Sequence, residues 1–544
     1  MSYEIKNPIL PGFYPDPSII RVEDDFYLVT SSFCYYPGVP VFRSRDLAHW
    51  EQIGHVLDRP SQLQVGCDSI SGGIFAPTIR YHEGTFYMIT TNVDQGGNFI
   101  VTAKDPAGPW SDPHWIEGAE GIDPSLFWDD DGRAYYTGTG PGESSDLRKA
   151  RIWISEIDLN EFKLIGEKRK IWGGAQVDAW CPEAPHLYKK DGWYYLMIAE
   201  GGTEYYHAVT IARSREIFGP YICHDGNPIM THRHLGRKAE ITNTGHADIV
   251  ELKDGSWYMV MLASRPYGGY HLNMGRETFI APMVWEEGWP VVCPGVGKLE
   301  WTYPAPDLPE MPVKEMPVKD DFEAENLAYC WNTLGTPRDG VFVLADSRLK
   351  IKTVERNMEE ADAARKEALQ KGQIPKAGCA GFVGRRQQHS SYKVQTKMEF
   401  KPRRKQKAGL IILQNGYHSL RFEMALEDGR QVLKVIKGYQ TTEAILTHHV
   451  VEGTFTQDCL GQISWEGTEV VLEIMVKGQS HSFTAIDAAG NRYLLAENID
   501  GGFLGSETAG GFVGAYIGMF ATGDGEEDEN FAEFDWFSYE PVQL

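Results

Sequence analysis

The sequence predicts an all-β protein in which a five-bladed β-propeller is followed by a lectin-like β-sandwich of the jelly-roll type. Three observations predict this fold class. A hairpin pattern recurs five times before residue 262, a proline-rich strip covers residues 301–317, and longer alternating strands such as 392–400 and 469–476 follow it. A repeated all-β unit indicates a propeller, and long alternating strands indicate a sandwich.

The five repeats each combine a short apolar strand, a turn, usually with Asp or Gly, and an aromatic-rich second strand, which is typical of a β-hairpin. They begin near Asp16, Ala76, Asp123, Glu183 and His246, at a spacing of about 50 to 60 residues. Further strands follow each hairpin, so about four strands form one blade. The first strand of each blade lies nearest the propeller axis, and the starts of these strands therefore converge.

The converging positions carry acidic side chains at Asp16, Asp123 and Glu183. An Asp-Pro pair alone is most often a strand-entry turn, and Pro17 favours an extended backbone at Asp16. Three carboxyl groups at one end of a channel repel one another, however, and such clusters are typical of functional sites. The ring of strand starts is therefore the candidate site.

The segments Pro11–Ser18, Gly121–Ser125, Glu183–Tyr188 and Gly245–Asp248 resemble the signature segments of glycoside hydrolase family 43. The resemblance covers the whole chain, because the region after about residue 320 is similar to the β-sandwich of the two-domain β-xylosidases. It implies a propeller catalytic domain at residues 1–310 and a sandwich domain at 311–544 that contributes a loop to the active-site mouth.

The resemblance also implies roles for the three carboxyl groups. Glycoside hydrolysis needs an acid that protonates the leaving oxygen and a base or nucleophile on the other face of the sugar. Asp16 is expected to be the general base, Glu183 the general acid, and Asp123 the residue that raises the pKa of Glu183 and orients it. The expected separation of the Asp16 and Glu183 carboxyl groups is about 6.5 to 9.5 Å, as in inverting enzymes.

Five further positions are expected to bind substrate. The resemblance places Phe33 against the sugar that is cleaved, Arg276 beside the attacking water, and Phe512 at the site edge. Phe75 stands where the family usually carries tryptophan, which alters the expected wall of the site. From the residues alone, Phe33 and Phe75 also fit the propeller core and Arg276 also fits a surface ion pair. His246 is expected on the axis.

No cofactor is expected to be required. In many members of the family a histidine at the position of His246 supports a divalent cation, often calcium, through water molecules. Calcium prefers oxygen ligands, so a buried and hydrogen-bonded axial histidine is the alternative.

Composition limits the partners. The formal net charge of −24 argues against nucleic-acid binding, and no apolar run long enough to span a membrane is present. The eight cysteines are scattered, and the first residues resemble no secretory signal, so a cytoplasmic location with reduced thiols is expected. The expected partner is a small oligosaccharide, with no membrane and no nucleic acid; a homo-oligomer is left open.

The sequence therefore predicts an exo-acting, inverting hydrolase that releases terminal pentoses, either a β-1,4-xylosidase or an α-L-arabinofuranosidase or both, and that takes part in xylan degradation. Two alternatives are a retaining β-fructosidase-like propeller enzyme and a non-catalytic carbohydrate-binding propeller. The first differs in its motifs, and the second predicts that one carboxyl group of the three is missing.

Residues 357–371 are predicted to form an inserted helix.

Overall fold

The computed structural model describes residues 3–140, 149–176, 180–359, 367–371, 378–447 and 450–543. These residues form a propeller of five sheets and a sandwich of two larger sheets. Among them, no helix has the length and apolar character needed to cross a membrane.

The propeller blades follow one another along the chain. Blade 1 contains β2 (Ser18–Val22), β3 (Asp25–Val29), β5 (Gly38–Ser44) and β6 (Glu51–Leu57), and blade 2 contains β7 (Thr78–His82), β8 (Thr85–Asn92), β9 (Gly97–Ala103) and β10 (His114–Trp115). Blade 3 contains β11 (Ile122–Trp128), β12 (Ala134–Gly140), β13 (Arg151–Asp158), β14 (Lys163–Leu164) and β15 (Arg169–Trp172). Blade 4 contains β16 (Glu183–Lys190), β17 (Trp193–Glu200), β18 (Ala208–Ser214) and β19 (Ile222–Cys223), and blade 5 contains β20 (Thr242–Glu251), β21 (Trp257–Ser264), β22 (Glu277–Glu286) and β23 (Trp289–Val292). The five-bladed propeller that the repeats predict is confirmed.

Local sequence explains the hairpins. In the turn between β16 and β17, both Asp191 and Gly192 adopt positive φ, 51° and 71°. That combination matches the right-handed twist of paired strands, and Asp-Gly is among the few pairs that adopt it readily. Neighbouring blades then bury their apolar faces against each other, as Ile89, Leu126 and Tyr136 do between blades 2 and 3.

Among the residues that the structure describes, the ring of blades closes without exchanging a strand, because blades 1 and 5 are each formed by a continuous stretch of chain. The N-terminal segment provides the closure instead. Asn7 donates its side-chain amide to the carbonyl of Ile280 at 2.8 Å, and the backbone of Leu10 pairs with Thr278. In addition, β1 (Glu4–Lys6) pairs with β24 (Thr302–Pro304).

A buried polar network joins the inner strands of four blades near the axis. Asp248 accepts hydrogen bonds from Ser18 at 2.7 Å, from Arg80 at 2.8 Å and from the Tyr188 hydroxyl at 2.6 Å. The second terminal nitrogen of Arg80 lies 2.8 Å from His186 Nδ1. Burial alone would raise the pKa of Asp248, but the charge of Arg80 and these hydrogen bonds lower it, so the carboxylate stays ionised.

The sandwich consists of two sheets. The first contains β25 (Lys319–Asp320), β27 (Phe342–Ala345), β28 (Arg348–Lys352), β30 (Ser391–Glu399), β35 (Glu469–Lys477), β36 (Ser480–Ile486), β37 (Arg492–Asp500) and β39 (Phe531–Pro541). The second contains β26 (Asn332–Leu334), β29 (Phe382–Arg386), β31 (Lys407–Asn415), β32 (His418–Glu427), β33 (Arg430–Thr447), β34 (Val450–Ser464) and β38 (Tyr516–Thr522), together with β4 (Tyr35–Tyr36). Short 3₁₀-helices cover Arg233–Leu235 and Gly502–Leu504, and a one-turn α-helix covers Ser506–Ala509.

The two halves of the chain share a sheet and a core. Strand β4 belongs to the propeller half by sequence, yet it pairs with β26 of the sandwich. Tyr35 on β4 stacks on Tyr516 with ring centroids 3.8 Å apart, and Phe13 and Phe33 lie in one buried cluster with Phe382. The sandwich is therefore packed against the side of the propeller that carries the candidate site. The division of the chain at residue 310 into two domains stays a prediction.

The predicted helix at residues 357–371 is only partly testable, because 360–366 lie outside the described residues. Residues 357–359 are not helical, and 367–370 form one helical turn.

Candidate active site

Asp16 lies in the loop between β1 and β2, and its backbone is not extended. Its φ is +56°, in the left-handed region, although Pro17 follows it. The expectation of an extended backbone is therefore wrong at this position. Aspartate is one of the few residues other than glycine that adopt this region with little strain. The conformation recurs at Asp123 (φ 55°) and Ala184 (φ 53°), each of which also precedes a proline.

These conformations coincide with β-bulges in two inner strands. The pairing of β11 with β12 shifts between Ile122 and Ser125, and that of β16 with β17 shifts between Glu183 and His186. A bulge redirects a side chain relative to the regular strand and is frequent beside active sites. Here the bulges accompany the placement of Asp123 and Glu183 at the mouth of the channel.

The three carboxyl groups meet at the ring of strand starts. Asp16 is 5% exposed and Asp123 is 7% exposed, while Glu183 keeps partial access to solvent. Asp123 accepts a hydrogen bond of 3.1 Å from the backbone amide of Ala184, so it is held directly beside Glu183. The fifth position of the ring, Ala76, is buried and carries no polar side chain.

Asp16 is held as an anion. It accepts hydrogen bonds from Arg276 at 2.8 Å and from the Ser31 hydroxyl at 2.6 Å, and His246 Nδ1 lies 3.6 Å from the same carboxylate. Burial alone would raise the pKa of Asp16, but the charge of Arg276 and the Ser31 hydrogen bond together lower it. Asp16 is therefore ionised and can accept a proton.

Glu183 is held in the opposite state. Burial raises its pKa well above the usual value, and the negative charges of Asp123 and Asp16 raise it further. Asp123 shares this environment: burial and the charge of Asp16 raise its pKa to about 7. Carboxyl groups that interact this strongly titrate as a pair. Near neutral pH the pair retains a proton, while Asp16 has lost its own.

The aromatic residues expected at the site are brought together. Phe33 and Phe512 stack with ring centroids 6.0 Å apart, and Phe75 lies 5.1 Å from Phe33 and 5.8 Å from Phe512. Phe33 comes from blade 1, Phe75 from the segment before blade 2, and Phe512 from the sandwich. Phe33 is fully buried, whereas Phe75 and Phe512 are half-buried and present ring surface at the site.

Arg276 joins the aromatic wall to the carboxylates. Its guanidinium lies 5.7 Å from the centre of the Phe33 ring and 5.9 Å from that of Phe512. The same group donates hydrogen bonds to the Phe512 carbonyl at 3.1 Å and to the Thr203 hydroxyl at 2.9 Å. Arg276 is only 8% exposed, so the surface ion pair considered as an alternative is wrong.

His246 is buried at the axis, and burial lowers its pKa, so the imidazole is neutral. The described side chains around it do not fit a calcium ion held by protein oxygens. Within the described ranges, no group of three or more His, Cys, Asp and Glu residues could hold a metal ion. The nearest carboxylate, Asp16, is already bonded to a guanidinium. No step of the reaction is therefore assigned to a metal, and a cation held near His246 through water molecules stays a prediction.

Sequence reasoning missed three residues that support the site. Ser31 bonds to Asp16, Thr203 bonds to Arg276, and Ser71 accepts the backbone amide of Phe512 at 2.9 Å through its hydroxyl. Each is a hydroxyl in a loop or at a strand end, a residue type too common to stand out. Asp248, the centre of the buried polar network near the axis, is easier to single out in the sequence, because it is a charged residue next to apolar residues of the same strand.

Comparison with known proteins agrees with the geometry. Residues 5–290 match the model described as glycosyl hydrolases family 43, and residues 319–540 match that of the beta xylosidase C-terminal concanavalin A-like domain. A xylosidase/arabinosidase of Butyrivibrio fibrisolvens is 44% identical over 98% of this chain and 99% of its own length. A non-reducing end alpha-L-arabinofuranosidase of Bacteroides ovatus is 37% identical over 98% of this chain and 94% of its own.

A solved structure is similar throughout. The crystal structure of xylan beta-1,4-xylosidase from Bacillus halodurans superimposes with a TM-score of 0.88 and 33% identity, covering 98% of this chain and all of the other. The likeness therefore includes the sandwich as well as the propeller.

Proposed function

The chain belongs to glycosyl hydrolases family 43, and from this membership and the state of its three carboxyl groups we propose that it removes terminal pentoses from xylo- and arabinoxylo-oligosaccharides with inversion of configuration. The protein is a glycosidase, and relatives that match its full length are named for xylosidase, arabinosidase or arabinofuranosidase activity. We propose β-1,4-xylosidase activity, α-L-arabinofuranosidase activity, or both.

The observation that carries this proposal is the opposed surroundings of two carboxyl groups: Asp16 is bonded to Arg276, whereas Glu183 lies beside the carboxyl group of Asp123. In the proposed reaction, Glu183 donates its proton to the glycosidic oxygen as the bond to the anomeric carbon breaks. A water molecule forms the new bond from the opposite face and gives its proton to Asp16. Water outside the site then returns both carboxyl groups to their starting states.

Asp123 and Arg276 hold the two groups in these states. The charge of Asp123 favours the protonated form of Glu183, and its hydrogen bond to the Ala184 amide fixes the position of the strand start. The guanidinium of Arg276 favours the ionised form of Asp16 and orients it. Two neutral carboxylic acids, or two carboxylates, could not supply both an acid and a base.

Removal of one sugar at a time is supported by the position of the sandwich loop. Phe512 packs on Phe33 and Phe75 and is tied to the propeller by Arg276 and Ser71. A ring from the second half of the chain thus closes one side of the site. Such closure favours a pocket for a chain end over an open groove for a polymer.

The alternatives are not favoured. A retaining β-fructosidase would need one carboxylate as nucleophile, about 5 to 5.5 Å from the acid, and neither the family model nor the relatives point to that activity. A non-catalytic sugar-binding propeller predicts that one carboxyl group is missing, and all three are present.

The experiment that tests the function is a side-by-side assay of p-nitrophenyl β-D-xyloside and p-nitrophenyl α-L-arabinofuranoside. Asp16→Asn and Glu183→Gln should each lower kcat/KM by roughly 10²-fold or more, because each removes a proton-transfer group while keeping its shape. Far-UV circular dichroism and the melting temperature serve as the folding control. Near-wild-type activity of either variant would contradict its assigned role.

A further inference from the structure

The proposed general base follows a short loop, residues 12–15, whose backbone is held by side chains of the propeller. The Gly12 amide donates a hydrogen bond to the Glu277 carboxylate at 2.6 Å. The Tyr14 carbonyl accepts one from the Thr278 hydroxyl at 2.6 Å. Both partners lie at the start of β22, so blade 5 holds the loop from one side.

The sandwich holds the same loop from the other side. Arg386, the last residue of β29, donates a hydrogen bond from Nε to the Phe13 carbonyl at 2.6 Å. Its guanidinium also lies 4.1 Å from the centre of the Tyr14 ring. One side chain from the second half of the chain therefore contacts two successive residues of the loop that leads to Asp16.

Arg386 is a buried cation without a carboxylate partner. It is 2% exposed, and within the described ranges it makes no ion pair and one of its terminal nitrogens has no hydrogen-bond partner. The guanidinium is bonded to the Asn332 side-chain oxygen at 2.9 Å and lies 5.3 Å from the centre of the Tyr516 ring. Burying a charge without an opposite charge is unfavourable, so an arginine in this place indicates a role other than stability.

The backbone between this contact and the general base is short and stiff. Two residues separate Phe13 from Asp16, and Pro15 and Pro17 flank the aspartate. Proline fixes φ at about −65°, so little rotation is available on either side of Asp16. A displacement of the Phe13 carbonyl is therefore passed on to the Asp16 carboxylate.

From these contacts we propose that Arg386 is a positioning residue of the sandwich, which fixes the backbone at Phe13 and thereby orients the Asp16 carboxylate toward the attacking water. It is assigned no contact with substrate and acts through Asp16. The proposal rests on the proposed function, because it concerns the step in which Asp16 takes a proton from water. The sandwich then serves the reaction in two ways, by closing the site with Phe512 and by holding the base in place.

The first measurement is the effect of Arg386→Met on kcat and KM for the better p-nitrophenyl pentoside. A misplacement of about 1 Å can lower a rate by about 10²-fold, so kcat should fall by about 10- to 100-fold. KM should stay within about twofold, because the side chains assigned to sugar binding are kept. Circular dichroism and the melting temperature report whether the variant is folded.

Arg385→Met is the matched control. Arg385 precedes Arg386 on the same strand and is also buried, at 7% exposure, but successive side chains of a strand point to opposite faces. Its guanidinium bonds to Gln388 at 3.2 Å and lies 4.9 Å from the centre of the Tyr539 ring. Its replacement should leave kcat within about twofold.

A double-mutant cycle separates positioning of the base from general damage. If Arg386 acts through Asp16, Arg386→Met should lower kcat by less than about twofold when Asp16→Asn is already present, because residues that act as a unit have non-additive effects. Arg386→Gln, which keeps a neutral amide donor, is taken through the same cycle, so the comparison does not depend on one replacement.

Four results would overturn the assignment. They are the full loss of kcat in the Asp16→Asn background, an unchanged kcat in a folded Arg386→Met enzyme, a loss confined to KM, and the same loss in Arg385→Met. Failure of both Arg386 replacements to fold would assign the residue to stability and would overturn it as well. A wild-type protein that cleaves neither p-nitrophenyl pentoside would instead refute the proposed function.

Discussion

Replacement of Arg276 by methionine gives a specific test of how Asp16 is kept ionised. The guanidinium lies 2.8 Å from the Asp16 carboxylate, and both residues are buried. An opposite charge this close lowers a carboxyl pKa by about 1 to 3 units. Arg276→Met should therefore raise the pKa of Asp16 by about that amount, and burial of the unpaired carboxylate acts in the same direction.

The sign of the effect on activity follows from the role of Asp16 as base. The base must be ionised, so activity is lost as the pH falls through its pKa. Raising that pKa by about 1 to 3 units moves the acidic limb of the kcat/KM profile to higher pH by the same amount. On that limb the loss is about 10- to 1000-fold, and it becomes smaller as the pH rises.

Arg276→Lys separates charge from geometry. Lysine keeps the positive charge but lacks the fork that reaches Asp16, Thr203 and the Phe512 carbonyl together. This variant should keep the acidic limb near its wild-type position while kcat/KM falls by about tenfold at every pH.

The assay is kcat/KM for the better p-nitrophenyl pentoside from about pH 4 to pH 9, which reports the pKa values of the free enzyme. Removing one partner of a buried ion pair costs about 3 to 5 kcal/mol of stability, so the melting temperature of each variant is measured at every pH used. A folded Arg276→Met enzyme whose acidic limb stays in place would refute this account of Asp16.

Three further perturbations act on other parts of the molecule. Asp123→Asn removes a charge that raises the pKa of Glu183, so the alkaline limb of the pH profile should move to lower pH; an unmoved limb would contradict the pairing. Arg80→Met leaves Asp248 charged and unpaired, which should lower the free energy of unfolding by about 3 to 5 kcal/mol. Adding Asp248→Asn should recover part of that loss in a denaturant titration, and no recovery would argue against the ion pair. A fragment of residues 1–310 exposes the apolar cluster shared with the sandwich and should be inactive or unstable, whereas a soluble, active fragment would show that the sandwich is dispensable.

Local patterns predicted the fold because a propeller blade is a local structure. A strand, a tight turn such as Asp191-Gly192 and a second strand are adjacent in sequence, and five copies indicate the ring. The contacts that join distant parts were not predictable in this way. Pairing of β4 with β26 links residues about 300 positions apart, and neither strand carries a signal for the other.

The carboxyl groups of the site were predicted, but their backbone conformation was not. A residue before proline usually has an extended backbone, but Asp16 does not. Its carboxylate is bonded to Ser31 and Arg276, which lie in other segments of the chain, and the local sequence does not reveal these contacts. Tertiary contacts outweighed the local preference.

The stereochemistry of the reaction tests the central claim most directly. Inversion requires a water molecule between Asp16 and the anomeric carbon, with Glu183 on the other face. Proton NMR of a fresh digest of a β-D-xyloside should then show α-xylose first, and β-xylose should appear only as the product mutarotates. Release of the β anomer at the start would contradict both the inverting mechanism and the assignment of Asp16 as the base.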